Sequence, residues 1–84
     1  MRNRMNVIYL GKRTTARFPD YLWSLAMDAT CLSDSDLCEA LRAFLATNGD
    51  DLFSASEVAI RFLKFQVSFI LRNPFMSKAS VSQP

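Results

Sequence analysis

The chain has 84 residues, half of them hydrophobic and 21% charged, with ten lysines and arginines against eight aspartates and glutamates. A chain of this length buries only about 60–65% of the surface that its unfolded form exposes, so we expect a single small domain that completes its core against a second subunit or a partner. It contains no histidine, which removes the commonest general base and every zinc site that needs an imidazole. The composition therefore favours a binding protein over an enzyme, with no cofactor and no metal.

The two cysteines and the hydrophobic runs argue against redox, metal and membrane functions. Cys31 and Cys38 do not form a Cys-x-x-Cys pair, and free cysteines behave as small apolar residues, so both are expected to be reduced and buried. The apolar run at residues 5–10 is shorter than the core of a secretory signal, and the run at residues 58–71 is interrupted by two bases. These features predict a cytoplasmic protein without a membrane span.

The charged residues are distributed unevenly along the chain. Residues 1–20 contain five bases and one acid, residues 21–57 contain seven acids and Arg42 as their single base, and residues 58–84 contain four bases and no acid. A basic N-terminal segment is available to nucleic acid, whereas an acidic middle is repelled by it. The alternative is a mixed, solvated surface that self-associates head to tail.

Two short segments near the N-terminus have strand character. Residues 6–10 are β-favouring and are followed by Gly11, a turn signal, and residues 13–18 alternate as a half-buried strand does. Successive side chains of a strand point to opposite faces. One face of the second segment would carry Thr14, Ala16 and Phe18, and the opposite, largely basic face would carry Arg13, Thr15 and Arg17.

Two short helices are predicted after the strand. Pro19 is favoured at the first helical position and indicates a helix over residues 19–30. Its expected apolar face consists of Leu22, Leu25, Ala26 and Ala29. Ser33 is a good capping residue, and the apolar residues that follow it recur at helical spacing, which indicates a second helix over residues 34–47.

The third predicted helix is the longest and the most apolar. Ser54 and Glu57 have the spacing of a capping box, which indicates a helix over residues 55–72. Its polar residues form one narrow stripe, so apolar residues cover most of its surface. The members of this surface that we expect at an interface with a second subunit or a partner are Phe62, Phe65 and Phe69. Residues 1–75 are interpreted as one domain, and residues 76–84 as a disordered tail.

The order of a basic strand, a proline, a short helix and a serine-capped helix resembles the ribbon-helix-helix family of DNA-binding proteins. The resemblance covers residues 12–46 and is carried by Arg13-Thr-Thr-Ala-Arg-Phe-Pro-Asp20 and Ser33-Asp-Ser-Asp-Leu-Cys-Glu-Ala-Leu-Arg-Ala-Phe-Leu45. It implies a homodimer in which one strand from each subunit, at residues 13–18, forms an antiparallel ribbon in the major groove. The expected fold is therefore mainly α with a short N-terminal β-strand, ribbon-helix-helix-like, with an additional long C-terminal helix.

The resemblance also assigns roles to the residues of the strand. The base-reading candidates are Arg13, Thr15 and Arg17, because Arg binds guanine O6 and N7 and Thr offers a hydroxyl and a methyl group to adenine or thymine. The side chains that would face the dimer core are Ala16 and Phe18. The remaining bases of the N-terminal segment, which are candidates for phosphate contacts, are Arg2, Arg4 and Lys12.

Two functions from different classes follow. The first is a small dimeric DNA-binding regulator, of the repressor, relaxosome accessory protein or antitoxin type. The alternative is a small helical protein of phage or plasmid type that binds or inhibits another protein through its acidic middle or its apolar third helix. The pairing of residues 13–18 distinguishes them, because an intrachain hairpin around Gly11-Lys12 would use the strand within the subunit and leave no intersubunit ribbon.

Overall fold

The computed structural model describes residues 2–72, which form two strands followed by three helices. The elements are β1 (Arg4–Tyr9), β2 (Lys12–Arg17), α1 (Asp20–Thr30), α2 (Asp34–Thr47) and α3 (Ala55–Arg72). The predicted mainly α fold with a strand at its N-terminus is confirmed. The tail predicted for residues 76–84 lies outside the described residues. Within the described part, no helix combines the length and the apolar character needed to cross a bilayer.

The two strands pair with each other as an antiparallel hairpin. The register runs from Arg4 opposite Arg17 to Tyr9 opposite Lys12. The connecting residues Leu10 and Gly11 have φ angles of 52° and 76°, the positive values that a two-residue type I′ turn requires. Residues 13–18 thus find their partner in the same chain, which is the arrangement that argues against the expected intersubunit ribbon.

The hairpin lies with one face on the helices. Met5, Val7 and Tyr9 of β1 are buried on this face, as is Ala16 of β2. Helix α2 packs against β1, and α3 packs against both β2 and α1. Because side chains alternate along each strand, the other face of the hairpin is left to solvent.

The core between the hairpin and the helices corrects two expectations. Ala16 is 0% exposed and Phe18 is 5% exposed, and Phe18 stacks on Trp23 with ring centroids 5.2 Å apart. Both side chains are therefore covered by their own chain and do not face a second subunit. On α1, the sequence predicts that Leu25 is buried, but Leu25 is exposed and Trp23 is buried instead.

Polar contacts cap the second and third helices and tie the hairpin to the loop between them. The hydroxyl of Ser33 accepts the backbone N–H of Asp36 at 3.1 Å and caps α2. The capping box of α3 forms in both directions, with the backbone N–H of Ser54 donating to Glu57 at 2.9 Å and the N–H of Glu57 donating to the Ser54 hydroxyl at 3.2 Å. Tyr9 accepts the N–H of Asp50 through its hydroxyl, which ties β1 to the loop between α2 and α3.

Candidate nucleic-acid interface

The solvent-exposed face of the hairpin carries three cross-strand rows of side chains. Across the two strands, Arg4 lies opposite Arg17, Asn6 opposite Thr15, and Ile8 opposite Arg13. We call these six side chains the ribbon face. The three base-reading candidates, Arg13, Thr15 and Arg17, lie on it together, as the alternation predicted.

The ribbon face has a polar centre and unpaired positive charge at both ends. The Thr15 hydroxyl donates to Asn6 Oδ1 at 3.2 Å. Arg4 and Arg17 are directly opposite each other, an arrangement of like charges that destabilises a sheet by about 0.2–1 kcal/mol. Among the described residues the single salt bridge involves neither of them. Their juxtaposition is therefore unfavourable until an anion lies between or beside them.

A further arginine reaches this face from α2. Arg42 is an exposed residue of α2, the helix that packs against β1. Its Nε donates to the backbone carbonyl of Asn6 at 3.2 Å, which holds the guanidinium at the outer edge of β1. Sequence reasoning missed Arg42 because 36 residues separate it from Asn6; its one signal was its position as the lone base of an acidic segment.

Two shallow depressions of ≈ 420 Å³ and ≈ 440 Å³ run along this edge of the hairpin. Because Asn6, Thr15 and Arg42 line both of them, we describe the two depressions together as one groove, whose lining also includes Arg13 in the first depression and Arg4 in the second. No carboxylate is among the described residues that line it. We call this the basic groove; its arrangement of arginine, amide and hydroxyl donors is suited to a phosphate or another oxyanion.

Arg2, the first of the predicted phosphate contacts, also borders this groove, but its guanidinium is bound to a carboxylate of the same chain. Its Nε and Nη2 donate to the two carboxylate oxygens of Asp34 at 3.0 and 2.8 Å, and its guanidinium lies 5.8 Å from the Trp23 ring centroid. Trp23 Nε1 donates to the same carboxylate at 2.9 Å. The hydrogen bond from Arg2, supported by that from Trp23, lowers the pKa of Asp34 below its usual value. Arg2 is therefore a structural residue that joins the N-terminal segment to α1 and α2.

The other two phosphate candidates lie in different positions. Arg4 belongs to the ribbon face and is exposed there, beside the base-reading candidates. Lys12 is exposed at the turn end of the hairpin, where it lies opposite Tyr9 and thus on the helix-facing side of the strand. The basic side chains that share the exposed side of the hairpin are accordingly Arg4, Arg13, Arg17 and Arg42.

The aromatic residues predicted at an interface are placed differently from one another. Phe62 is half-buried against Phe44, with ring centroids 4.8 Å apart. Phe65 is 60% exposed. The side chain of Phe69 lies outside the described part of the structure. Of the two whose side chains the structure describes, Phe65 is therefore the one with a largely exposed apolar surface.

The cysteines differ in their surroundings. Both are free, but Cys31 is exposed and Cys38 is buried, so the expectation of burial is wrong for Cys31. Burial raises the pKa of the Cys38 thiol. Among the described residues no group of three or more histidine, cysteine, aspartate or glutamate side chains is arranged to hold a metal ion.

Comparisons of the chain with protein-family models, with curated proteins and with solved structures found no match.

Proposed function

We propose that this protein binds double-stranded DNA through the ribbon face of its hairpin. The observation that carries the proposal is the gathering of Arg4, Arg13, Arg17 and Arg42 on one exposed side without a neighbouring salt-bridge partner. A two-stranded antiparallel ribbon has the dimensions to enter the major groove. Here a single chain supplies both strands, so the ribbon does not depend on an intersubunit strand pairing.

The proposed contacts divide into base and phosphate contacts. Arg13 and Arg17 bind guanine edges, and Thr15 between them contacts adenine or thymine. Arg4 lines the depression that Arg42 also lines, whereas Arg17 does not, so Arg4 is assigned to the phosphate backbone. In this role the protein acts as a small regulator of the repressor, relaxosome accessory or antitoxin type, with a homodimer doubling the number of DNA contacts.

Charge outside the ribbon face limits how strongly any duplex is held. Seven of the eight acidic residues lie between positions 21 and 57 and give this part of the chain a field that repels DNA. We therefore expect weak non-specific binding and a steep loss of affinity as salt increases.

The test begins with selection of the best-binding duplexes from a pool of sequences. The selected duplexes are then labelled and titrated with the protein at low salt, and binding is followed by fluorescence anisotropy. Replacing Arg17 by Ala should weaken binding to the selected site by about 1–3 kcal/mol and relax discrimination at one base position. The matched control is Lys64→Ala, which removes one exposed positive charge from α3 at a position that belongs neither to the ribbon face nor to the lining of the basic groove. The proposal fails where a folded protein binds no duplex at low salt, or where both variants weaken binding equally for all sequences.

A second candidate function is binding to another polypeptide, including a second copy of the chain. The observation that favours it is the set of large apolar side chains that the helices leave exposed: Tyr21 at 62%, Leu25 at 45% and Phe65 at 60%. Tyr21 and Leu25 are one helical turn apart and thus share a face of α1.

A further inference from the structure

We propose that the basic groove is a phosphate site, in which Arg42 and Arg4 bind the oxygens of one phosphate group and Asn6 donates an additional hydrogen bond. Where that phosphate belongs to DNA, the inference rests on the proposed function and deepens it. It then means that the duplex is held at the edge of the hairpin by a residue of α2, in addition to the ribbon face itself.

The first argument is the way in which Arg42 is held. Its Nε donates to the Asn6 carbonyl, and among the described residues this guanidinium makes no other hydrogen bond and no salt bridge. The four remaining N–H groups of the guanidinium are therefore free to bind an oxyanion. Because one hydrogen bond already orients the planar group, less side-chain entropy is lost on binding than for an unrestrained lysine.

The second argument is the polar floor of the groove. Asn6 and Thr15 line both depressions, and the Thr15 hydroxyl donates to Asn6 Oδ1. With its oxygen engaged in this way, the Asn6 amide presents its Nδ2 donors. The floor thus offers donors to a phosphate oxygen between two positively charged side chains.

The third argument is the electrostatic balance around the groove. The charge of Arg2 at its border is neutralised by Asp34, whereas Arg4 and Arg42 have no carboxylate partner among the described residues. Arg4 is also opposed by Arg17 across the hairpin. A bound phosphate relieves this repulsion, which makes the site favour an anion over water.

The ligand chemistry, a phosphate oxyanion, has two possible sources: the backbone of a nucleic acid, or a free polyphosphate. Two titrations distinguish them. In the first, sodium pyrophosphate is added to the ¹⁵N-labelled protein, and the backbone and arginine side-chain signals are followed by NMR. In the second, a mixed-sequence duplex of about 20 base pairs is titrated by anisotropy at several salt concentrations, which gives the salt dependence of the affinity.

The informative variants are Arg42→Gln and Arg42→Lys, with Lys64→Gln as the matched control. Glutamine keeps an amide donor for the Asn6 carbonyl but removes the charge, whereas lysine keeps the charge but lacks the planar fork. We expect Arg42→Gln to weaken duplex binding about tenfold at low salt and to reduce the slope of log K against log salt by about 1. Arg42→Lys should fall between this variant and the unmodified protein, and Lys64→Gln should leave affinity and slope unchanged.

A control for folding accompanies each variant, because the Arg42 hydrogen bond also ties α2 to β1. Thermal unfolding should show Arg42→Gln to be folded; Arg4→Gln, on the exposed strand face, supplies a second variant with the same expected loss. A merely structural role of Arg42 predicts a lower unfolding temperature with an unchanged salt slope, which would overturn the inference.

The possible outcomes separate the inference from the proposed function. Duplex binding that is equally sensitive to Arg42→Gln and Lys64→Gln overturns the phosphate site and leaves the DNA function standing. Pyrophosphate shifts centred on Asn6, Thr15 and Arg42, without binding to any duplex, support the site with a free polyphosphate as its ligand and overturn the DNA function. If the folded protein neither binds a duplex nor shows shifts on addition of pyrophosphate, both the phosphate site and the DNA function are overturned.

Discussion

At the scale of single residues, Asp34 shows how the same residue types serve structure or binding according to their neighbours. Asp34 begins α2 and receives three hydrogen bonds, two from Arg2 and one from Trp23. Arg2 and Arg4 are two positions apart in the sequence, yet Arg2 is neutralised by this carboxylate and Arg4 is left exposed on the ribbon face. Charge in the sequence therefore does not by itself identify the arginines that are available to a ligand.

The Arg2–Asp34 pair makes stability depend on pH in acid. The pKa of Asp34 is lowered in the folded state, so the stabilisation is present above the unfolded-state pKa of about 3.9 and is lost as pH falls through the lower, folded-state pKa. The two side chains are 33% and 47% exposed, so solvent screening limits the contribution to about 1 kcal/mol.

Urea denaturation at pH 7 and at pH 2–3 tests this dependence. Asp34→Asn keeps an oxygen acceptor for Trp23 but loses the charge, so it should be less stable than the unmodified protein at pH 7 and closer to it in strong acid. Asp36→Asn is the matched control, since Asp36 lies on the same helical turn without a salt bridge among the described residues. A stability difference for Asp34→Asn that does not change with pH would contradict the argument.

At the scale of elements, the hairpin depends on a turn that its sequence only partly favours. Type I′ turns prefer Asn-Gly, and here Leu10 takes the first position with a positive φ that leucine rarely adopts. A Cβ added to Gly49 would meet the side chain of Leu10, so Leu10 closely approaches the loop that Tyr9 also binds. This tertiary contact helps to hold a turn residue that local preferences disfavour.

The turn predicts a specific response at Gly11. An added Cβ meets no atom within 4 Å, so the effect of Gly11→Ala is backbone strain at φ +76° and not a clash. We expect Gly11→Ala to lower the free energy of unfolding by about 1 kcal/mol or somewhat more, and Gly11→Asn to lower it less, because asparagine tolerates this conformation. Chemical denaturation measures both. Equal stability of the glycine, alanine and asparagine proteins would show that the turn is not of this type.

At the scale of the whole molecule, the core is closed within one chain and association must use other surfaces. Ala16 and Phe18, the residues expected at a dimer core, are buried by their own chain. Phe65 of α3 is exposed, and it is one of the residues that the sequence predicts at an interface. Self-association through the exposed helical side chains would leave the ribbon face, the surface proposed above to bind DNA, uncovered.

Sedimentation equilibrium tests this arrangement. We expect a dimer that forms at micromolar concentration and that Phe65→Ser weakens, since burying a phenylalanine side chain contributes about 1.5–3 kcal/mol. Lys64→Ser, at the adjacent exposed position, should leave the equilibrium unchanged. A monomer at every concentration, without binding of a dye specific for exposed hydrophobic surface, would contradict the expectation and leave the DNA contacts to a single chain.

Local patterns in the sequence determined the elements of this protein and the sidedness of its second strand. The helix signals Pro19, Ser33 and the Ser54/Glu57 box are each read within a few residues, and the predicted helices lie within about one residue of their observed bounds. The alternation over residues 13–18 likewise put Arg13, Thr15 and Arg17 on one face, because the side-chain period of a strand does not depend on what the strand pairs with.

Contacts between distant segments decided the rest. The strand preference of residues 6–10 did not specify a partner, and only the folded chain pairs β1 with β2 and buries Ala16 and Phe18 internally. The neutralisation of Arg2 by Asp34 and the arrival of Arg42 beside Asn6 join residues 32 and 36 positions apart. Local propensity carries no information about such pairs, since their energies arise from burial and charge after the helices have packed on the hairpin; the basic groove is therefore a product of tertiary structure.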